Sequence, residues 1–143
     1  MRTTTRPEHC GDEVVRAIAE LVEAGGGPSL STYMATEGTI DDMREFAIHR
    51  SAYHLKEADP HTWALPRLDG RAKAALIEME FDEYGLGEQA AMHSELFAET
   101  LRSLGLDPTY GSYIEQLPGS TLATVNLVSM FGLCPLETRR TAR

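Results

Sequence analysis

Cysteine is scarce in this sequence. The chain of 143 residues has only two, Cys10 and Cys134, and they lie near its opposite ends. They form no CxxC pair, which excludes the usual cysteine pattern of a structural zinc site or a thiol redox site. A disulfide scaffold is also not needed, because a chain of this length can bury a core without one. We therefore expect both cysteines to be reduced, which favours the cytoplasm.

The sequence also lacks an excess of positive charge and any long apolar run. The 13 Lys and Arg residues stand against 22 Asp and Glu residues, giving a net charge of −9. This balance argues against binding nucleic acid or an anionic membrane surface by general electrostatic attraction. No apolar run is long enough to span a bilayer, and the N-terminal stretch lacks the apolar segment of a secretion signal. We expect neither a nucleic-acid partner nor a membrane partner.

Strand patterns are absent as well, since no segment alternates convincingly between apolar and polar residues. Apolar residues instead recur at helical spacing in several segments that glycine and proline separate. We predict an all-α fold in a single helical domain over residues 1–143, ending in a solvated tail over 132–143. The predicted helices cover about 12–24, 39–58, 70–84, 88–104 and 121–131; residues 29–38 form a linker or a short helical turn, and residues 59–69 a loop.

Two glutamates and a histidine have the spacing of a possible metal site. Glu83 and His93 lie ten residues apart, and Gly85-Leu86-Gly87 interrupts the helical pattern between them. A small break there would turn both side chains onto one face. Glu57 lies 26 residues before Glu83, at the end of the preceding predicted helix. Carboxylates and imidazoles from neighbouring helices bind iron, manganese or zinc in helical bundles. The alternative is that both glutamates are solvated helix-end acids and His93 is an ordinary histidine.

Other ionisable side chains near these three have simpler interpretations. His54 lies one helical turn before the first of the two glutamates, where it either orients that carboxylate or is a half-exposed helix-end histidine. His49 and His61 have no acidic partner at helical spacing that points inward, so we predict that both are structural. Glu78 and Glu80 are predicted to lie on the solvated side of their helix.

The same region resembles a known family. The similarity covers about residues 40–131, and the resembled family is the iron-containing redox enzymes of the haem-oxygenase-like di-iron oxidase superfamily. The resemblance depends on the run Phe46 to Leu68, on Gly70-Arg-Ala-Lys-Ala-Ala-Leu76, and on Asp82-Glu-Tyr-Gly-Leu-Gly87 with the following His93.

The resemblance implies a fold, a cofactor and a reaction type. The fold is a haem-oxygenase-like helical bundle, present here in part. Members of the family use iron and O2 to oxidise small molecules, so iron, O2 and a small-molecule substrate are the implied cofactor and partners. Glu57, Glu83 and His93 fall on the residues that supply one half of the family's di-iron site.

The sequence departs from the family after His93. The family's other metal ligands, an acidic residue and two histidines, come from a later helix, but no histidine follows His93 here and Asp107 is the only later aspartate. We expect a C-terminally truncated member that carries half of the metal site. It is either half of an oxidoreductase that another chain completes, or a non-catalytic helical remnant that self-associates or pairs with another chain to cover its apolar faces. A metal-independent binder of small molecules is a third possibility.

Overall fold

The structure is a computed structural model that describes residues 10–133. Within those residues all regular structure is helical, which confirms the predicted all-α fold. The described part divides into two compact units that meet in sequence between Gly38 and Thr39. Of the tail predicted over 132–143, only Gly132 and Leu133 are described, and both are helical. Cys134 lies outside the described residues. None of the helices in this part of the chain is long and apolar enough to cross a membrane.

The first unit contains α1 (Cys10–Ala24) and α2 (Leu30–Thr36). The hydroxyl of Ser29 caps α2 by accepting a hydrogen bond from Thr32 N at 3.2 Å. This cap satisfies one of the free amides of the first helical turn. The segment 29–38, for which the sequence left a linker or a helical turn open, is therefore largely helical.

The second unit carries every candidate site residue. It consists of five α-helices joined by short 3-10 turns at 65–67, 85–87, 89–91 and 114–116. The helices are α3 (Ile40–His54), α4 (Asp59–Thr62), α5 (Gly70–Glu83), α6 (His93–Ser103) and α7 (Gly119–Leu133).

The start of α3 is fixed by hydrogen bonds between Thr39 and Asp42. Thr39 Oγ1 accepts a hydrogen bond from Asp42 N at 3.2 Å, and Asp42 Oδ2 accepts one from Thr39 N at 2.7 Å. This reciprocal capping box satisfies two amides that the first turn leaves free. Thr39 is therefore the N-cap of α3, at the predicted start of the helix.

The end of α3 differs from the prediction. The helix ends at His54 rather than near residue 58, because Lys56 N donates to Tyr53 O at 2.9 Å and tightens the chain into a turn. Pro60 then lies in the first turn of α4, where a missing amide hydrogen is no loss. The predicted loop 59–69 is thus partly helical.

Small side chains form much of the core of the second unit. Ala47, Ala52 and Ala98 are buried at the packing surfaces of α3 and α6, and Leu101 on α6 is fully buried. A Cβ atom added to Gly132 on α7 would overlap the carbonyl oxygen of Pro60 on α4. Alanine and glycine at these positions let α3 approach α6 closely and α4 approach α7 closely.

Candidate metal centre

Three side chains that the sequence predicted as metal ligands come together in the second unit. Glu57 lies in the turn after α3, Glu83 is the last residue of α5, and His93 is the first residue of α6. Each offers one ligand atom, and these atoms all lie within 4.8 Å of one another. Metal–ligand bonds of about 2.0–2.2 Å place two ligands of one ion roughly 3 to 4.4 Å apart. The limit of 4.8 Å slightly exceeds this range, so one cation would bind all three side chains after a small inward shift.

The closest contact in this cluster joins Glu83 and His93. Glu83 Oε2 and His93 Nδ1 are 2.7 Å apart. The contact lacks the alignment of an N–H···O hydrogen bond, and Glu83 Oε2 is buried with no hydrogen-bond partner among the described residues. A buried carboxylate oxygen without a partner carries a large desolvation penalty. A cation bound by both atoms would offset that penalty once the two side chains move slightly apart.

The backbone between α5 and α6 determines where His93 lies. The predicted small break is longer than expected, because α6 starts at His93 and not near residue 88. Gly85 has a φ of +64°, and a Cβ atom there would overlap the backbone of Ala91 and Met92. Only glycine combines this left-handed conformation with such a close approach. The chain folds back on itself at Gly85 and so brings His93 beside the end of α5.

A second histidine orients the carboxylate of Glu57. His54 Nδ1 and Glu57 Oε2 are 3.0 Å apart, and Arg50 Nε donates to His54 Nε2 at 3.0 Å. Because arginine has only donors, His54 Nε2 must accept, so Nδ1 carries the hydrogen and donates it to Glu57. Of the two interpretations of His54 left open by the sequence, the contacts favour the orienting one. The other oxygen of Glu57 stays available as a ligand.

A cavity of about 240 Å³ opens beside the cluster. The three candidate ligands line it together with Lys56, Met92 and other residues of the same unit. Its wall combines an apolar side chain with a cationic one. Such a cavity has room for a small molecule next to the candidate metal position.

Two tyrosines border the cluster. Burial raises the pKa of Tyr53, and the negative charges of Glu57 and Glu83 raise it further. Burial also raises the pKa of Tyr84 to about 12, helped by its hydrogen bond to Asp59. Tyr84 donates to Asp59 Oδ1 at 2.9 Å and thereby connects the end of α5 to the start of α4. Tyr84 is thus a neutral donor at physiological pH.

The sequence analysis missed Glu80 and His61. The prediction that Glu80 is solvated was wrong, since only 4% of this residue is exposed. Its Oε1 lies 3.6 Å from His61 Nδ1, too far for a hydrogen bond, and none of these polar atoms has a partner among the described residues. Burial raises the pKa of Glu80, and the nearby Glu83 adds to this effect. A signal was available: Leu76, Glu80 and Glu83 follow i, i+4, i+7 spacing on α5 and share one face.

Asp107, the only aspartate after His93, has a local role. Its carboxylate accepts hydrogen bonds from Thr109 N at 2.8 Å and from Ser112 Oγ at 2.9 Å. These bonds lower the pKa of Asp107. The side chain stabilises the turn after α6 and belongs to no cluster of three possible ligands within the described residues.

Comparison with known proteins identifies the family of this chain. The sequence profile of a family described as "Iron-containing redox enzyme" matches residues 44–138. This match covers more than half of the chain, so the protein belongs to that family. The all-α architecture is consistent with a haem-oxygenase-like bundle. The three candidate ligands and the two missed residues all lie inside the matched range.

One characterised protein is similar to this chain at low sequence identity. Nitrosourea synthase from Streptomyces achromogenes subsp. streptozoticus is 28% identical over 118 residues, which cover 80% of this chain and 25% of that protein. The chain therefore spans about a quarter of the length of this relative. No solved structure matches.

Proposed function

We propose that Glu57, Glu83 and His93 bind a ferrous ion, and that the chain is half of an iron-dependent oxidoreductase that uses O2 to oxidise a small molecule. One observation carries this proposal: ligand atoms of the three side chains lie within 4.8 Å of one another. Family membership supports iron as the metal.

The donor set fits iron. Two carboxylates and one imidazole suit divalent first-row metals, and the buried oxygen of Glu83, which accepts no hydrogen bond among the described residues, is free to bind a cation. Three protein ligands leave coordination positions open for water, O2 or substrate. When bound, iron would supply the electron-transfer chemistry with O2 that amino-acid side chains cannot perform.

The surrounding residues have separate tasks. His54 fixes the carboxylate of Glu57 through a 3.0 Å hydrogen bond. Lys56 lines the cavity and pairs with Asp59 at 3.2 Å while remaining half exposed, so it can also approach an anionic group of a substrate. The relative's name, nitrosourea synthase, makes small nitrogen-containing molecules the first substrates to test.

The remaining ligands of a two-metal centre would come from a polypeptide segment other than residues 1–143. The resemblance assigns them to an acidic residue and two histidines, and no histidine follows His93 in this chain. We place this assembly in the cytoplasm, on the basis of the low cysteine content.

Anaerobic Fe(II) titration of the purified chain tests the proposal. The wild type should bind iron, whereas Glu83→Gln and His93→Ala should weaken binding at this centre at least tenfold. Glu78→Gln is the matched control, because Glu78 is an exposed residue of the same helix. Equal binding by the wild type, Glu83→Gln and His93→Ala would contradict the proposal.

A second candidate function, pairing with another chain without catalysis, is favoured by exposed apolar side chains in the second unit. Ile77 and Phe81 on α5 are 49% and 55% exposed, and Phe131 on α7 is 66% exposed. Exposed apolar surface of this kind marks association sites. Analytical ultracentrifugation together with the Fe(II) titration distinguishes the two: association without iron binding supports the non-catalytic role, and iron binding that depends on Glu83 and His93 supports the metal enzyme whether or not the chain associates.

A further inference from the structure

Outside the cluster of Glu57, Glu83 and His93, the second unit buries another pair of ligand-type side chains. Glu80 on α5 and His61 on α4 face each other with Oε1 and Nδ1 3.6 Å apart. The side chain of Glu80 is only 5% exposed, and that of His61 is 28% exposed. Both oxygens of Glu80 and Nδ1 of His61 are buried without a hydrogen-bond partner among the described residues.

The geometry of this pair fits two ligands of one cation better than a direct hydrogen bond. A separation of 3.6 Å exceeds hydrogen-bond length. Two ligands bound at about 2.0–2.2 Å, with an angle between about 90° and 120° at the metal, lie roughly 3 to 3.7 Å apart. A carboxylate oxygen and an imidazole nitrogen are also a common donor pair for divalent first-row metals.

We propose that Glu80 and His61 form a second cation-binding position, which takes a divalent first-row metal ion such as Fe(II), Mn(II) or Co(II). The position goes beyond the proposed function, because its ligands are not those of the first centre. Glu80 lies one helical turn before Glu83 on the same face of α5, and such residues have Cβ atoms about 5–6 Å apart. The two cations would therefore be neighbours.

Within the described residues, a cavity lies beside His61, and more carboxylates than cations act on Glu80. His61 lines a second cavity of about 320 Å³, whose wall includes Leu76 and Phe131. The cavity lies beside the His61 ring, so the water ligands that a position with two protein ligands needs would come from this side. The charged groups that act on the pKa of Glu80 are His61, Glu83 and Asp59, so carboxylates outnumber cations among them.

Anaerobic Co(II) titration of the full, tag-free chain, read by visible absorbance and by elemental analysis after gel filtration, tests this position. The wild type should bind two equivalents. Glu80→Gln and His61→Phe should each lose one equivalent, and Glu78→Gln should keep both. Circular dichroism melts of each variant verify that the chain remains folded.

The two centres can be separated in the same experiment. Glu83→Gln combined with His93→Ala should retain one equivalent, which a further Glu80→Gln substitution should remove. If the wild type and the Glu83→Gln/His93→Ala double variant both bind one equivalent, Glu83 and His93 bind no metal. That result would contradict the proposed function but support this position. Identical stoichiometry in the wild type and Glu80→Gln would overturn the second position, and the gap would then hold a bridging water only.

Discussion

Glu83 and His93 face each other at 2.7 Å across the backbone break between α5 and α6. Glu83 ends one helix and His93 begins the next, so neither side chain is held by a continuous helix. Their separation depends instead on how the chain turns at Gly85 and Leu86. Leu86 itself has a φ of +57°, which is unfavourable for a residue with a side chain. Backbone strain next to two candidate ligands indicates that the rest of the fold holds this loop in place.

Replacing Gly85 should disrupt both the fold and metal binding. In Gly85→Ala the new Cβ atom would overlap the backbone of Ala91 and Met92, so we expect the loop to shift and His93 to move away from Glu83. Gly87→Ala is the control, because Gly87 also has a positive φ, +89°, but its Cβ atom would meet nothing within 4 Å. Urea unfolding should show Gly85→Ala to be about 1–3 kcal/mol less stable than Gly87→Ala. Equal stabilities would show that the close approach at Gly85 is unimportant.

Removing the hydrogen bond from His54 should weaken metal binding without removing a ligand. Groups that orient a metal ligand typically contribute about 10–100-fold to metal affinity. We expect that reduction in His54→Phe, measured by Fe(II) titration, because phenylalanine keeps a ring against Phe97 but cannot donate to Glu57. His49→Ala, on the same helix, should bind Fe(II) like the wild type. Wild-type affinity in His54→Phe would mean that Glu57 needs no orienting partner.

Tyr84→Phe should reduce stability. The substitution removes the donor to Asp59 Oδ1, a part-buried bond, and we expect a loss of about 1–2 kcal/mol in the free energy of unfolding. Because the pKa of Tyr84 is raised to about 12, the tyrosine stays protonated and the loss should be the same at pH 6 and pH 9. Tyr110→Phe, at an exposed tyrosine, is the control. A loss that disappears at pH 9 would contradict this account.

Glu80→Gln should stabilise the metal-free chain in a pH-dependent manner. Burial raises the pKa of Glu80 above its ordinary value of 4.5, so the folded chain disfavours the ionised carboxylate. The stability that Glu80 contributes as a neutral acid is fully present below pH 4.5 and is lost as pH rises through the raised pKa. The melting temperature of Glu80→Gln should therefore exceed that of the wild type at pH 7, and the difference should shrink toward pH 4.5. Glu78→Gln should show no such trend.

Local sequence signals predicted most of the helices but not all of their ends. Thr39 with Asp42 defined the start of α3, and Gly70 defined the start of α5. The end of α3 was placed too late, because Pro60 is compatible with the first turn of a new helix and gave no sign of the earlier turn at Lys56. The start of α6 was placed too early, because the backbone contact of Gly85 with Ala91 depends on the folded loop.

The sequence likewise predicted some residues of the candidate site and missed others. Spacing and family resemblance together identified Glu57, Glu83 and His93, which the structure brings together. Glu80 escaped because hydropathy assigns glutamates to the solvent, whereas on α5 the apolar Ile77 and Phe81 are exposed and Glu80 is buried. Glu80 lies opposite His61 on α4. A contact between two different helices cannot be predicted from the spacing of residues within one helix.

Anomalous X-ray scattering at the iron edge, from crystals of the chain loaded anaerobically with Fe(II), tests the central claim most directly. The account predicts a peak bounded by Glu57, Glu83 and His93, within bonding distance, about 2.0–2.2 Å, of at least one atom of each. A fully iron-loaded crystal without a peak between these three side chains would contradict it.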